Sequence, residues 1–169
     1  MGYTYLYTGN GAGKTCNALG LALRSIGHNK KVVIIQFLKW WKNTGEYKVR
    51  TKLKPYYEIY QFGRKGWIGL NNLNKEDKYL AERGLKFADK ILKKKPDLLV
   101  LDEINLTVSC GLLKTDKVLE LLDKIPKKTT VVLTGRNAPK ELVKKADFVN
   151  EIRDLKHPRK IPTTKGIQY

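Results

Sequence analysis

The chain has 169 residues, 41% of them hydrophobic and 30% charged, which is typical of one soluble globular domain with a substantial core. Its 34 Lys and Arg against 16 Asp and Glu give a formal net charge of +18, but the basic residues are scattered in short runs, so we do not expect nucleic acid as a partner. We find no apolar run of about 18 residues and no signal-peptide core, which predicts a cytoplasmic protein with no membrane partner.

A glycine-rich octapeptide lies between the first predicted strand, residues 3–7, and the first predicted helix, residues 14–26. Glycines let the backbone curl so that several N–H groups point at one anion, and the helix N-terminus adds its positive dipole. The sequence therefore predicts a phosphate-binding loop, with a plain glycine turn as the alternative. The residues predicted to bind phosphate are Thr8, Gly9, Asn10, Gly11, Ala12, Gly13, Lys14 and Thr15.

Two side chains of this loop have predicted chemical roles. Lys14 brings a mobile positive charge to the phosphates, and the hydroxyl of Thr15 is placed to bind Mg²⁺. The loop departs from the usual G-x-x-x-x-G-K-[ST] pattern because Thr8 stands at the first glycine position. That departure argues against an ordinary ATP hydrolase.

Strands and helices alternate along the rest of the chain. Further strands are predicted at residues 31–37, 56–62, 98–101, 130–134 and 148–152. Further helices are predicted at residues 46–53, 75–95, 115–125 and 139–146. This order predicts one doubly wound α/β domain over residues 1–169, with a mostly parallel sheet between helices as in the P-loop NTPase (RecA-like) folds, and an irregular tail from about residue 154.

The loop at residues 63–74 is rich in glycine and asparagine and is long enough to suggest a functional lid. Asn74 at its end, with Asp77 three residues on, predicts the N-terminal cap of the helix that follows.

The apolar strand at 98–101 ends in Asp102 and Glu103. Because ligands in this fold class lie beyond the carboxyl ends of the strands, both carboxylates should emerge beside the phosphate-binding loop. Hard oxygen ligands suit Mg²⁺, so Thr15, Asp102 and Glu103 are the predicted metal ligands. The alternative is that one carboxylate merely caps the following turn.

Two arginines are candidates for phosphate contacts. Arg136 follows the strand at 130–134 and should reach the same rim, where it either binds phosphate or forms a structural ion pair. Arg24 lies ten residues into the first helix, and from the residues alone it is expected to extend into solvent.

Several segments together resemble the corrinoid adenosyltransferases of the P-loop type. The motifs are Y-T-G-N-G-x-G-K-T, A-L-G-L-A-L-R, V-x-I-I-Q-F-L-K, L-D-E-I-N, V-L-T-G-R-N-A-P, K-H-P and the final K-G-I-Q-Y, in family order over nearly the whole chain. The resemblance implies transfer of the 5′-deoxyadenosyl group of ATP to Co(I) of a reduced corrinoid (cob(I)alamin, cobinamide or cobyrinic acid diamide), with release of triphosphate. It also implies Mg²⁺, a homodimer and a flavoprotein reductant, in cobalamin synthesis or salvage.

The resemblance also assigns residues. Lys14 and Glu103 are the implied catalytic residues at the triphosphate and metal, and Arg24 becomes an implied phosphate contact. Trp67, in the lid, is the implied aromatic that displaces water from the lower face of the cobalt. Co(I) is itself a strong nucleophile, so the protein must supply position, water exclusion and neutralisation of charge rather than a general base.

The sequence departs from the family at two places. Ile68 follows Trp67 where a second aromatic is usual, and Ala12 stands where a lysine is common. The functions weighed against adenosyl transfer are another P-loop ATPase or a nucleoside kinase, possibly associated with nucleic acid. Those enzymes need a base or a water-positioning residue, which the sequence does not display.

Overall fold

Six strands form one sheet in the computed structural model, which describes residues 2–66, 69–158, 160 and 163–167. All neighbouring strands are parallel, and their order across the sheet is β3-β2-β4-β5-β1-β6. The strands are β1 (Thr4–Thr8), β2 (Val32–Phe37), β3 (Tyr57–Phe62), β4 (Leu98–Asp102), β5 (Thr130–Thr134) and β6 (Phe148–Glu151). The predicted strands are all present, and the doubly wound α/β fold is confirmed.

Helices connect consecutive strands and cover both faces of the sheet. They are α1 (Lys14–Ile26), α2 (Gly45–Lys48), α3 (Lys75–Lys93), α4 (Ile104–Ser109), α5 (Thr115–Leu122) and α6 (Lys140–Lys145), with 3₁₀ turns at Val49–Thr51 and Leu70–Asn72. The helix predicted at 46–53 is therefore α2 followed by a 3₁₀ turn.

The central strands are buried on both faces because their sequences are continuous apolar runs. All six residues of β2 are buried; Val33 and Ile35 pack with α3 and its neighbours, and Val32 and Ile34 pack against α1. This pattern is expected for a parallel strand between two layers of helices. The hydrophobic core therefore lies on both sides of one sheet and holds the strand ends in place.

The register brings the carboxyl ends of four strands to one edge of the sheet. Gln36 near the end of β2 is paired with Asp102 at the end of β4, and Tyr7 of β1 is paired with Thr134 at the end of β5. The phosphate-binding loop follows β1 at this edge. The candidate site is therefore built from segments far apart in sequence.

Helix α4 was not predicted from the sequence. It begins directly after Glu103, and its residues I-N-L-T-V-S include β-branched types with modest helix propensity. Burial of Ile104 and Val108 stabilises it, together with a hydrogen bond in which Thr107 Oγ1 donates to the Glu103 carbonyl at 2.7 Å. Tertiary packing therefore outweighs local preference in this short helix.

The predicted cap of α3 is confirmed. Asn74 Oδ1 accepts hydrogen bonds from the N–H groups of Glu76 (2.9 Å) and Asp77 (3.2 Å), and Asp77 Oδ2 accepts one from the Asn74 N–H (2.9 Å). This reciprocal arrangement is a capping box. It fixes where the segment 63–74 ends. In the described ranges, none of the helices has the length and apolar character needed to cross a bilayer.

Replacing Asn74 by Ala removes the oxygen that caps α3, so we expect the free energy of unfolding to fall by about 1 kcal/mol. Chemical denaturation followed by circular dichroism measures this change. Asn71→Ala, at an exposed asparagine of the preceding 3₁₀ turn, is the matched control and should lose less than about 0.5 kcal/mol. Equal losses in the two variants would contradict the capping role.

Candidate active site

The loop between β1 and α1 has the curled shape that a phosphate needs. Gly13, in the left-handed region with φ 106°, ends the loop directly before α1. Gly9 must be glycine because a Cβ there would lie 2.3 Å from the carbonyl oxygen of Ile152. The Gly11 N–H donates to that same carbonyl at 2.8 Å. The segment after β6 therefore supports the outer side of the loop.

Lys14 is only 7% exposed and lies over the loop. Its ammonium donates to the Gly11 carbonyl at 2.5 Å. Burial lowers the pKa of Lys14, and the nearby Arg136 lowers it further. A phosphate beside this group would replace a neutral carbonyl with an anion and would favour the charged form.

One backbone amide of the loop donates a hydrogen bond to a carboxylate of the protein. Asp154 Oδ1 accepts a hydrogen bond from the Ala12 N–H at 3.0 Å. Sequence reasoning missed this residue, because Asp154 belongs to the tail that was predicted to be irregular. The contact shows that this amide of the loop points at an anionic group.

Asp102 is fully buried and accepts four side-chain hydrogen bonds. Its Oδ1 accepts from Thr134 Oγ1 at 2.6 Å and from Thr15 Oγ1 at 2.9 Å. Its Oδ2 accepts from Lys39 Nζ at 2.7 Å and from Gln36 Nε2 at 3.0 Å. Burial alone would raise the pKa of Asp102, but the Lys39 ammonium and the donated hydrogen bonds outweigh it and hold this pKa below its usual value.

Glu103 lies at the start of α4 in the left-handed region, with φ 63°. Its N–H donates to Thr134 Oγ1 at 3.0 Å, and its side chain lines the cavity. Burial, and then repulsion from Asp102, raise the pKa of this carboxyl. The two adjacent carboxylates therefore have different surroundings. Asp102 accepts hydrogen bonds from four protein side chains, whereas Glu103 lines a cavity.

The phosphate-binding loop opens into a cavity of about 650 Å³. Residues 10–15, Glu103 and Arg136 form its polar side. Its remaining lining residues include one set of apolar side chains: Leu38, Trp41, Leu70 and Leu106. The predicted phosphate-binding loop and a set of apolar side chains therefore line the same cavity.

Arg136 is exposed at the rim of this cavity and forms no ion pair with any other residue of the described part of the chain. Of the two alternatives that the sequence left open, the position of Arg136 favours a ligand contact. Its guanidinium carries a permanent positive charge in a planar fork that suits phosphate oxygens.

Some predicted residues lie outside this cavity. Arg24 is exposed in the last turn of α1, about 15 Å along the helix axis from Lys14. The hydroxyl of Thr8 accepts a hydrogen bond from the Ala138 N–H at 3.2 Å instead of lining the cavity. Trp67 falls outside the described residues, although Gly69 and Leu70 of the same loop line the cavity.

Lys39 and Trp41 are two functional candidates to which sequence reasoning gave no role. Both follow β2 and line the cavity. The Q-F-L-K motif contains Lys39, but neither its spacing nor its composition indicates contact with a carboxylate 63 residues away. Trp41 is 47% exposed, and an exposed tryptophan beside a polyphosphate site is a signal that could have been used.

The donor set around Thr15 fits a magnesium ion. Thr15 and Asp102 are hydrogen-bonded to each other, and Glu103 supplies a second carboxylate at the same strand end. In the described ranges no group of three or more His, Cys, Asp or Glu residues is arranged to hold a metal ion. A Mg²⁺ ion bound here would therefore need water and phosphate to complete its coordination, as is usual for this ion.

The parallel sheet, the phosphate-binding loop and the carboxylates at the end of β4 define a protein with the P-loop NTPase fold. Solved structures agree: the flagellar accessory protein FlaH from Methanocaldococcus jannaschii aligns with a TM-score of 0.58, 12% identity and coverage of 88% of this chain and 70% of that chain. A KaiC-like protein from Pyrococcus horikoshii OT3 aligns with a TM-score of 0.55, 17% identity and coverage of 86% and 70%. At these identities the likeness shows the fold alone.

The sequence identifies the family within this class. The chain belongs to the family described as ATP:corrinoid adenosyltransferase BtuR/CobO/CobP, whose profile matches residues 1–169. The resemblance found in the sequence motifs is confirmed, and with it the enzyme class, a transferase.

Curated relatives are about one third identical to the chain over the aligned residues. A corrinoid adenosyltransferase of Escherichia coli K12 is 32% identical, with 92% of this chain and 79% of the relative covered. One from Pseudomonas aeruginosa is 33% identical, with 99% and 84% covered. The corrinoid adenosyltransferase CobA of Salmonella typhimurium is 34% identical, with 92% and 79% covered.

The hydroxyl of Thr134 donates to Asp102 and accepts from the Glu103 N–H, so Thr134→Val leaves both groups with one partner fewer. We expect the free energy of unfolding to fall by about 1–3 kcal/mol, measured by chemical denaturation. Thr130→Val, at a half-buried threonine at the start of the same strand, is the control and should change much less. A loss in Thr134→Val no larger than in the control would show that this hydroxyl does not organise the carboxylates.

Proposed function

We propose that this chain transfers the 5′-deoxyadenosyl group of ATP to the Co(I) ion of a reduced corrinoid and releases triphosphate. The family supports the reaction. The observation that carries it to these residues is that the predicted phosphate-binding loop and the apolar side chains of Leu38, Trp41 and Leu70 line one cavity. A nucleotide polyphosphate and the apolar face of a large macrocycle need those two kinds of surface side by side.

The reaction is a displacement at carbon. The electron pair of Co(I) forms a cobalt–carbon bond with C5′ of the ribose, while the bond between C5′ and the triphosphate oxygen breaks and its electron pair leaves with triphosphate. No proton is removed in this step, so no general base is needed. The protein must hold C5′ toward the cobalt and neutralise the leaving group.

Three groups of this chain are suited to neutralising triphosphate. The amides of residues 13–15 bind its oxygens, joined by the Ala12 N–H once Asp154 releases it. Lys14 exchanges the Gly11 carbonyl for a phosphate oxygen, and Arg136 contacts the triphosphate from the rim. In family members ATP lies in reverse along the loop, with C5′ toward the corrin. In this chain Trp41 lines the same cavity as the loop, so it is a candidate to contact the corrin next to C5′.

Thr15 and Glu103 are the residues that would hold Mg²⁺, with Asp102 orienting Thr15 through its hydrogen bond. The ion would supply a concentrated positive charge that stabilises the charge developing on triphosphate.

The apolar side chains of the cavity would exclude water from the reacting atoms. Leu38, Trp41 and Leu70 would lie against the macrocycle, and Trp67 of the lid would displace water from the lower face of the cobalt. Trp41 is the described aromatic that could assume the second aromatic position left open by Ile68. From the properties of the family we also expect this protein to form a homodimer, to be cytoplasmic and to receive its reduced corrinoid from a flavoprotein reductant.

The proposal is tested by mixing the protein anaerobically with ATP, Mg²⁺ and chemically reduced cobalamin. We expect a light-sensitive alkyl-cobalt product and one equivalent of intact triphosphate. Orthophosphate without an alkylated corrinoid would reject the proposal in favour of an ATPase. Phosphorylation of an added nucleoside would reject it in favour of a kinase.

Lys14→Ala removes the charge that faces the leaving group, so we expect kcat to fall by at least about 100-fold. The same assay measures this, with circular dichroism to confirm that the variant is folded. Lys30→Ala removes an exposed lysine beyond the far end of α1, where it pairs with Asp97, and should leave the rate unchanged. Comparable rates in the two variants would refute the role of Lys14.

Glu103→Gln keeps the shape of the side chain but removes its charge, so we expect a lower kcat and at least a tenfold higher Mg²⁺ concentration for half-maximal rate. A magnesium titration at saturating ATP measures both quantities. Glu141→Gln, in the first turn of α6, is the matched control. An unchanged magnesium requirement in Glu103→Gln would exclude this carboxylate as a ligand.

A further inference from the structure

Lys39 is held in place by an unusual backbone path. Leu38, which precedes it, is 4% exposed and adopts the left-handed conformation with φ 59°. For a residue other than glycine, that conformation carries a conformational cost. The Leu38 N–H donates to the Phe62 carbonyl at 3.1 Å, and a Cβ at Gly63 would lie 2.4 Å from the Lys39 nitrogen. The chain therefore turns sharply after β2, and β3 braces the turn from the side.

This turn aims Lys39 back at the edge of the sheet. Its ammonium lies 2.7 Å from Asp102 Oδ2 and 3.2 Å from Thr15 Oγ1. These two residues are among those predicted to bind Mg²⁺. The Lys39 side chain is only 26% exposed, and Asp102 is not exposed at all, so the pair is shielded from solvent.

An ammonium and a magnesium ion exclude each other at this position. Mg²⁺ lies about 2.1 Å from its oxygen ligands. A metal ion on Thr15 or beside Asp102 would thus lie within a few ångströms of the Lys39 nitrogen if that nitrogen stayed in place. At that separation two cations in a shielded site repel strongly.

We propose that Lys39 is a displaceable internal cation, which occupies the metal position while the nucleotide site is empty and leaves it when a metal–polyphosphate complex binds. The inference depends on the proposed ATP site. The displaced Lys39 ammonium can move into the cavity, because Lys39 lines that cavity together with Lys14 and Arg136. There it adds a third positive charge facing the polyphosphate.

The arrangement has a physical function in the empty enzyme. Asp102 is a buried carboxylate, and without a cation beside it the strand end would hold an uncompensated charge. Lys39 supplies that compensation. It also lowers the affinity of the site for free Mg²⁺. The metal ion must displace the Lys39 ammonium from Asp102, and that ammonium gains an alternative anionic partner only when a phosphate group binds. Metal and nucleotide therefore bind together.

Metal binding to the nucleotide-free protein tests this directly. Mn²⁺ is used as the probe, and free Mn²⁺ is measured by electron paramagnetic resonance. We expect weak binding to the wild-type protein and at least tenfold tighter binding to Lys39→Met, which keeps the length of the side chain without its charge. Lys42→Met is the matched control, because Lys42 is exposed three residues further on and its loss changes the net charge equally.

A second variant separates the site from general electrostatics. In Lys39→Met/Asp102→Asn both members of the pair are neutral, and the gain in Mn²⁺ affinity should disappear. Equal affinity in the wild type, Lys39→Met and Lys42→Met would overturn the inference, and so would a gain that survives in the double variant. If Lys39→Met does not fold, Lys39→Gln replaces it, and unchanged Mn²⁺ affinity in that variant would overturn the inference equally.

Thermal unfolding supplies an independent readout. Without nucleotide, addition of Mg²⁺ at constant ionic strength should raise the Tm of Lys39→Met but not that of the wild type or Lys42→Met. No difference among the three would count against the inference. These measurements need no corrinoid, so a protein that binds metal as expected but transfers no adenosyl group would refute the proposed function alone.

Discussion

The buried carboxylate of Asp102 is the interaction on which the site depends. It ends β4 and receives hydrogen bonds or charge from α1, β2, the turn after β2 and β5, through Thr15, Gln36, Lys39 and Thr134. A buried anion is costly unless such partners surround it. Its removal would leave four donors from four segments without their common acceptor. One side chain thereby fixes the start of the phosphate-binding helix relative to the centre of the sheet.

This arrangement also explains why the adjacent carboxylates of Asp102 and Glu103 have different roles. Because Asp102 is saturated by protein donors, it serves as an anchor. Among the residues that the structure describes, none donates a side-chain hydrogen bond to the Glu103 carboxylate, and Glu103, in a left-handed turn, lines the cavity. Parallel strands of matched register bring both groups to the loop, since Gln36 and Asp102 are paired across β2 and β4. The fold therefore places the buried anchor Asp102 and the proposed metal ligand Glu103 at consecutive positions.

The sequence predicted those features that depend on local pattern. The octapeptide, the apolar strand that ends in Asp102, and the capping box at Asn74 each combine residue types with a fixed spacing, and the strands have a clear apolar run. Helix α4 escaped prediction because packing, not propensity, stabilises it. The contacts of Lys39 with Asp102 and of Asp154 with Ala12 join residues 63 and 142 positions apart, a separation at which periodicity carries no information. Arg24 was assigned to phosphate by resemblance, yet in this chain it lies at the far end of α1.

The pairing of β1 has a consequence for how the protein is made. Thr4 of β1 lies beside Val131 of β5, Tyr5 lies beside Phe148 of β6, and the loop that follows rests on Ile152. The glycine motif precedes β5, β6 and Ile152 by more than 100 positions in the sequence. This edge of the sheet therefore cannot form on a nascent chain until residues 130–152 have been synthesised, and its long-range pairing makes it a slow step of folding.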